Sequence, residues 1–153
     1  MRQGRRIGID VGDVRIGVAV CDPDGMLATP VETVAAGPDA IGRLAELARE
    51  YDAIECVVGM PIGLSGVEGP AAVKVRAFCA GLLAAMDPVP IRLFDERMST
   101  MTAESLLRQG GRSASSKRSV IDQAAATVIL QTALDSERTR GSAPGETLVR
   151  THG

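Results

Sequence analysis

Apolar and polar residues alternate three times at the start of the chain. From Arg5 to Val11, Ile7, Ile9 and Val11 share one face, and Gly8 and Asp10 share the other. A period of two marks a strand half buried in a sheet. Gly12-Asp13 breaks the pattern, and Arg15 to Cys21 alternates again through Ile16, Val18 and Val20. Asp22-Pro23-Asp24-Gly25 is a second turn, and Met26 to Val34 reads as a third strand. Two tight turns between three strands predict an antiparallel meander.

The period then changes. Pro38 to Tyr51 sets Ile41, Leu44, Leu47 and Ala48 on one helical face. Ala53 to Met60 is a short apolar run that ends at Pro61, the mark of a buried parallel strand. Pro61 to Gly69 is glycine-rich and reads as a loop. Pro70 to Ala85 reads as a helix, with proline where a missing N–H costs least. Pro90 to Phe94 predicts a further buried strand and Ser99 to Gln109 a short helix. Gly110 to Lys117 reads as a flexible loop. Ser119 to Ser136 reads as a helix with Val120, Ala124, Val128 and Leu134 available to the core. The order implies an α/β fold: one mixed sheet of five strands, three antiparallel and then two parallel, flanked by helices. Residues 1–137 form one domain in this reading, and 138–153 have the composition of a disordered tail. The ligand crevice of such a sheet lies beyond the carboxyl ends of its parallel strands.

Composition narrows the chemistry. The chain has 153 residues, enough for one core. No apolar run approaches the roughly 18 residues that span a bilayer, and the basic start runs into a strand pattern rather than a signal peptide. The expected home is the cytoplasm, with no membrane partner. Cys21, Cys56 and Cys79 are far apart, which favours reduced, buried thiols over a zinc site. The single histidine, His152, sits in the polar tail, which removes most Ser-His and Cys-His chemistry. Acids and hydroxyls must carry any catalysis. A net charge of −2 and 2% aromatics argue against nonspecific coating of nucleic acid and against base stacking. Nucleic acid would have to be held by local basic patches and metal.

Four acids stand at predicted element ends: Asp10 after the first strand, Asp95 and Glu96 after the last, and Asp122 near the start of the last helix. Carboxylate oxygens suit Mg²⁺ or Mn²⁺. Two such ions about 4 Å apart can activate a water and stabilise the leaving oxygen of a phosphodiester. Each acid also has a plainer reading. Asp10 could open a Gly-Asp turn, and Asp95 or Glu96 could be a loop charge. Ser119-Val-Ile-Asp122 fits a capping box. Arg108 to Arg118 carries Arg108, Arg112, Lys117 and Arg118 and no acid. A solvated loop explains that run as well as contact with a phosphate backbone does. Gly59 to Pro70 places glycines and Ser65 before a helix, where an anion could rest, but lacks the Walker ending.

Taken together, five segments resemble the YqgF/RuvX family of pre-16S rRNA nucleases and Holliday-junction-resolvase-like proteins. They are Gly8-Ile-Asp10-Val-Gly-Asp-Val-Arg15-Ile-Gly17-Val-Ala, Val58-Gly-Met-Pro61, Glu68-Gly-Pro70, Asp95-Glu-Arg97-Met-Ser-Thr100 and Val120-Ile-Asp122-Gln-Ala-Ala-Ala. They occur in family order and span about Arg5 to Ser136. The resemblance implies an RNase H-like fold, with Asp10, Glu96 and Asp122 as catalytic acids holding Mg²⁺ or Mn²⁺ and Asp95 as the runner-up to Glu96. It implies that Arg15 and Arg97 contact phosphate or order the acids; Arg112, Lys117 and Arg118 are further nucleic-acid contacts only on the phosphate-backbone reading of the basic run. Two departures stand out. Many relatives carry Asn and Asp after the proline where this chain has Ile62-Gly-Leu-Ser-Gly66, and the stretch before Asp122 is thin in lysine.

The expected activity is metal-dependent hydrolysis of phosphodiester bonds. Trimming the 5′ end of pre-16S rRNA is the first choice of substrate and resolution of four-way DNA junctions the second. The chain would act as a monomer or a homodimer. Asp10-x-Gly12 followed by Arg15 and Gly17 also resembles the first phosphate loop of sugar kinases and actin-like ATPases, folds that need two such domains. A noncatalytic nucleic-acid-binding module is the third reading, and clustered acids oppose it because carboxylates repel phosphate.

Overall fold

The computed structural model describes residues 1–62, 66–98 and 114–148, with 98 and 114–120 described by backbone alone. The meander forms as expected. Strand β1 (Arg6–Val11) pairs antiparallel with β2 (Arg15–Cys21), and β2 pairs antiparallel with β3 (Ala28–Ala35). Helix α1 (Ala40–Glu50) leads to β4 (Glu55–Met60), which lies parallel to β1. Helix α2 (Pro70–Met86) leads to β5 (Ile91–Asp95), parallel to β4, and a short 3-10 turn, Glu96–Met98, follows. Helix α3 spans Ala114–Arg140.

Three expectations change. The sheet has six strands, in the order β3-β2-β1-β4-β5-β6, because Glu146–Leu148 adds an antiparallel edge strand, β6, beside β5. Part of the segment read as a disordered tail is therefore ordered. The polar composition concealed an edge strand, which needs backbone partners more than apolar side chains. The last helix starts five residues before Ser119 and runs to Arg140, so 114–117 are helical rather than loop. The helix expected at Ser99 to Gln109 lies outside the described residues.

The alternation of β1 decides what packs where. Ile7 and Ile9, with Ile16, Val18, Cys56, Val58, Ile91 and Leu93, build one core under α1 and α2. The opposite face packs under α3, where Ala126, Ile129, Leu130, Ala133 and Leu134 meet Ala19, Cys21, Val57 and Phe94. This is the helix's sheet-facing stripe. Of the four residues first expected there, Val128 and Leu134 are buried, Ala124 is half-buried, and Val120 lies among residues described by backbone alone. The sheet is small-sided beneath α3. A Cβ at Gly8 would lie 2.7 Å from Leu130 Cβ and 2.9 Å from the Ala126 carbonyl oxygen. Glycine there lets the helix lie directly on the strand.

Helix α3 runs back along β1. At the start of β1 the buried Arg6 donates a 2.7 Å hydrogen bond to Glu137. Gly8 faces Ala126 and Leu130 in the middle, and at the end of β1 the helix passes Gly17, the β2 partner of Asp10, at Asp122. Cys21, Cys56 and Cys79 are buried free thiols, as expected. Among the described residues no helix is long and apolar enough to cross a membrane.

Candidate functional site

Asp10 follows Ile9 on the α3 side of the sheet, one residue from the end of β1. Its carboxyl is held well above the usual carboxylate range, at about 7. Burial is the largest cause. The charge of Glu96, a hydrogen bond shared with Glu96, and the charge of Asp122 follow. Asp10 thus feels two acids, Glu96 and Asp122, from segments far apart in sequence.

Of the neighbours Asp95 and Glu96, it is Glu96 that acts on Asp10. Phe94 packs under α3. Asp95, the last residue of β5, points to the other face, and Glu96 opens the 3-10 turn that follows. Asp95 instead receives the Arg97 guanidinium, Nη2 to Oδ2 at 2.6 Å and Nε at 3.0 Å, and also the Arg97 backbone N–H. The Arg97 side-chain hydrogen bond holds the Asp95 carboxyl below its usual range. Glu96 stands over the end of β4, its carboxyl carbon 3.9 Å from where a Cβ on Gly59 would be.

Asp122 is the ninth residue of α3, so its placement is not that of a helix cap, and the capping-box reading falls. Its Oδ2 accepts a 3.0 Å hydrogen bond from Arg15 Nε. Arg15 opens β2 directly after the Gly12–Val14 turn, which returns the chain beside Asp10. Among the described residues no group of three His, Cys, Asp or Glu side chains stands close enough together to hold a metal ion. Asp122 is engaged by Arg15, while Asp10 and Glu96 hold each other. Arg112 lies outside the described residues, and Lys117 and Arg118 fall on the first two turns of α3.

A cleft of about 390 Å³ opens beside Glu96 and Arg97, walled by Ile62, Val67 and the start of α2 at Pro70. It lies beyond the carboxyl end of β4, where a parallel sheet places its ligand. A larger hollow of about 480 Å³ at the other end of the sheet, against Arg2, Arg92 and Glu137, contains none of the four acids. One contact at the site had no sequence signal: Gln123 Nε2 donates to Thr33 Oγ1 at 3.0 Å, tying α3 to β3 beside Asp122.

The chain is similar to known proteins. Residues 4–136 match the model of the family described as RuvX: Holliday junction resolvase. A protein of Streptomyces avermitilis named "Putative pre-16S rRNA nuclease" is 61% identical over 148 residues, covering 95% of each chain. One of the same name from Nocardioides sp. is 56% identical over 156 residues, covering 99% of this chain and all of that one. Among solved structures, Thermus thermophilus RuvC in complex with a Holliday junction substrate superposes with a TM-score of 0.61 at 18% identity. That match covers 94% of this chain and 99% of the other. At that identity the likeness speaks for the fold.

Proposed function

The chain belongs to the RuvX family, and from that premise we propose that it is a divalent-metal-dependent nuclease whose site is Asp10, Glu96 and Asp122. The observation that carries the proposal is the convergence of these acids. Burial and two like charges hold Asp10 near neutrality, and a hard divalent cation among the three carboxylates would relieve that crowding. The donor set is all oxygen, without histidine or thiol, which fits Mg²⁺ or Mn²⁺ better than zinc. When bound, such ions would supply activation of the attacking water and neutralisation of charge at the scissile phosphate.

The side chains divide the remaining work. Asp10 is fixed by β1 and Glu96 by the 3-10 turn after β5, so two rigid elements set their separation. Arg15 orders the Asp122 carboxylate and, being cationic, can share its guanidinium with a phosphate oxygen. Arg97, fixed by Asp95 at the mouth of the cleft, offers a second phosphate contact. The substrate we favour is the 5′ end of pre-16S rRNA, the substrate in the name of relatives 56–61% identical over nearly the full chain.

The test sets purified protein with Mn²⁺ or Mg²⁺ against precursor rRNA and a four-way DNA junction in parallel, with Asp10→Asn as control. Cleavage of the rRNA precursor that Asp10→Asn abolishes is the expected result. Cleavage of the junction alone would transfer the activity to junction resolution. Cleavage of neither, or equal cleavage by Asp10→Asn, would overturn the nuclease reading.

A further inference from the structure

Three residues lie side by side across the meander. Asp10 of β1 faces Gly17 of β2, and Gly17 faces Thr33 of β3. Directly opposed residues in antiparallel strands project to the same face, and here that face lies under α3. The helix crosses this row at Asp122 and Gln123. Any Cβ on Gly17 would overlap the Asp122 carbonyl oxygen and would sit 3.0 Å from the Gln123 backbone nitrogen. The obstacle is backbone on both sides, so rotation of a side chain could not clear it. On the neighbouring strand, Thr33 Oγ1 accepts the hydrogen bond from the Gln123 side chain.

We propose that Gly17, together with the Thr33–Gln123 hydrogen bond, is a positioning device that sets how far the Asp122 carboxylate stands from Asp10, and so sets the affinity of the carboxylate site for divalent metal. The inference rests on the metal-site reading above. Gly17 presents bare backbone on which α3 sits at one height, and the Gln123 amide fixes its position across the sheet. Gly8 is the internal comparison. It receives the same helix, but at Ala126 and Leu130, a turn or more beyond the acids. A methyl at Gly8 presses on α3 at Ala126 and Leu130, away from the acids, whereas a methyl at Gly17 presses on the backbone of a proposed ligand.

The experiment is calorimetric titration of Mn²⁺ into wild type, Gly17→Ala, Gly8→Ala and Thr33→Val, with the thermal midpoint of each metal-free protein measured alongside. The expected result is a loss of Mn²⁺ affinity of about tenfold or more in Gly17→Ala and about threefold in Thr33→Val. Gly8→Ala should keep wild-type affinity to within about twofold whatever its thermal midpoint. Thr33→Val removes the hydroxyl partner of Gln123 without placing a Cβ against the helix backbone and so reads the same device if Gly17→Ala does not fold. Wild-type affinity in Thr33→Val, or equal losses in Gly8→Ala and Gly17→Ala, overturns the positioning role and leaves the metal site standing. Absence of Mn²⁺ binding by wild type overturns the metal reading and this inference with it. A double variant, Gly17→Ala with Asp122→Asn, adds a further readout. If Gly17 acts through Asp122, the double variant binds Mn²⁺ no more weakly than Asp122→Asn alone, and fully multiplicative losses would overturn that route.

Discussion

Arg15 Nε lies 3.0 Å from Asp122 Oδ2, across 107 residues of sequence. The pair is partly exposed, so its value to folding is small, about 0–1 kcal/mol. Its consequence for the site is larger, because it places a fixed positive charge against one of the three converging acids.

Replacing Arg15 should therefore separate metal binding from substrate handling. In Arg15→Gln the cation that competes for Asp122 is gone, and Mn²⁺ affinity should rise about fivefold, on the order of 1 kcal/mol of relieved repulsion. Cleavage should nevertheless fall by about tenfold or more, because a phosphate contact is lost. Calorimetry and a cleavage assay on one preparation check both. A parallel fall in metal affinity and cleavage would show that Arg15 serves only to order Asp122.

Asp10 gives a pH dependence whose sign can be worked out. Its carboxyl is raised from 3.8 to about 7 in the folded protein. Below about 3.8 it is protonated in both folded and unfolded chains and its stabilising share is intact. As pH rises toward 7 the unfolded chain releases its proton first, so stability is lost through that window and stays lost above it. Asp10→Asn cannot ionise. In metal-free buffer its thermal midpoint should gain on wild type from pH 5 to pH 8, each kcal/mol being worth roughly 2–4 °C in a chain of this size. A gap that does not change with pH would show that Asp10 is not strained by its neighbours. Adding Mg²⁺ at pH 8 should stabilise wild type more than the variant.

The neighbours Asp95 and Glu96 make opposite predictions. Glu96→Gln removes the carboxylate that hydrogen-bonds Asp10, and cleavage should fall by about a hundredfold or more. Asp95→Asn weakens an ion pair at a half-exposed position, and cleavage should stay within about tenfold of wild type. Kinetics of the two variants at saturating Mn²⁺ decide it, and the reverse order would transfer the site to Asp95.

The sequence carried the meander, the order of helices and strands, and the four acids, because all of these rest on local period and element ends. On the residues alone it could not choose between Asp95 and Glu96, which the family resemblance ranked in favour of Glu96, because the strand ends at Asp95 and a 3-10 turn starts at Glu96. It misassigned Asp122 to a first turn because Ser119-x-x-Asp122 is a good capping pattern, yet the helix begins at Ala114. It missed β6 because Glu146–Leu148 reads as polar tail and gains its place from pairing with β5 and from Arg76, which bridges Glu68 and Glu146. The Gln123–Thr33 contact is legible only once β3 lies beneath α3.

The far end of α3 supplies a test that isolates stability from function. Arg6 is 1% exposed and Glu137 6%, and their 2.7 Å contact is joined by Arg2 Nε on the same carboxylate at 2.6 Å. Removing one member of a buried pair strands the other, at a cost of about 3–5 kcal/mol. Glu137→Gln keeps the shape and leaves Arg6 without its counter-charge, so urea unfolding should show a loss in that range. Glu137 lies about four helical turns beyond Asp122, and the Mn²⁺ affinity of the folded protein should not change. A drop in Mn²⁺ affinity in Glu137→Gln would mean that α3 pivots as a rigid rod on the Arg6 contact, so that the two ends of the helix are mechanically one.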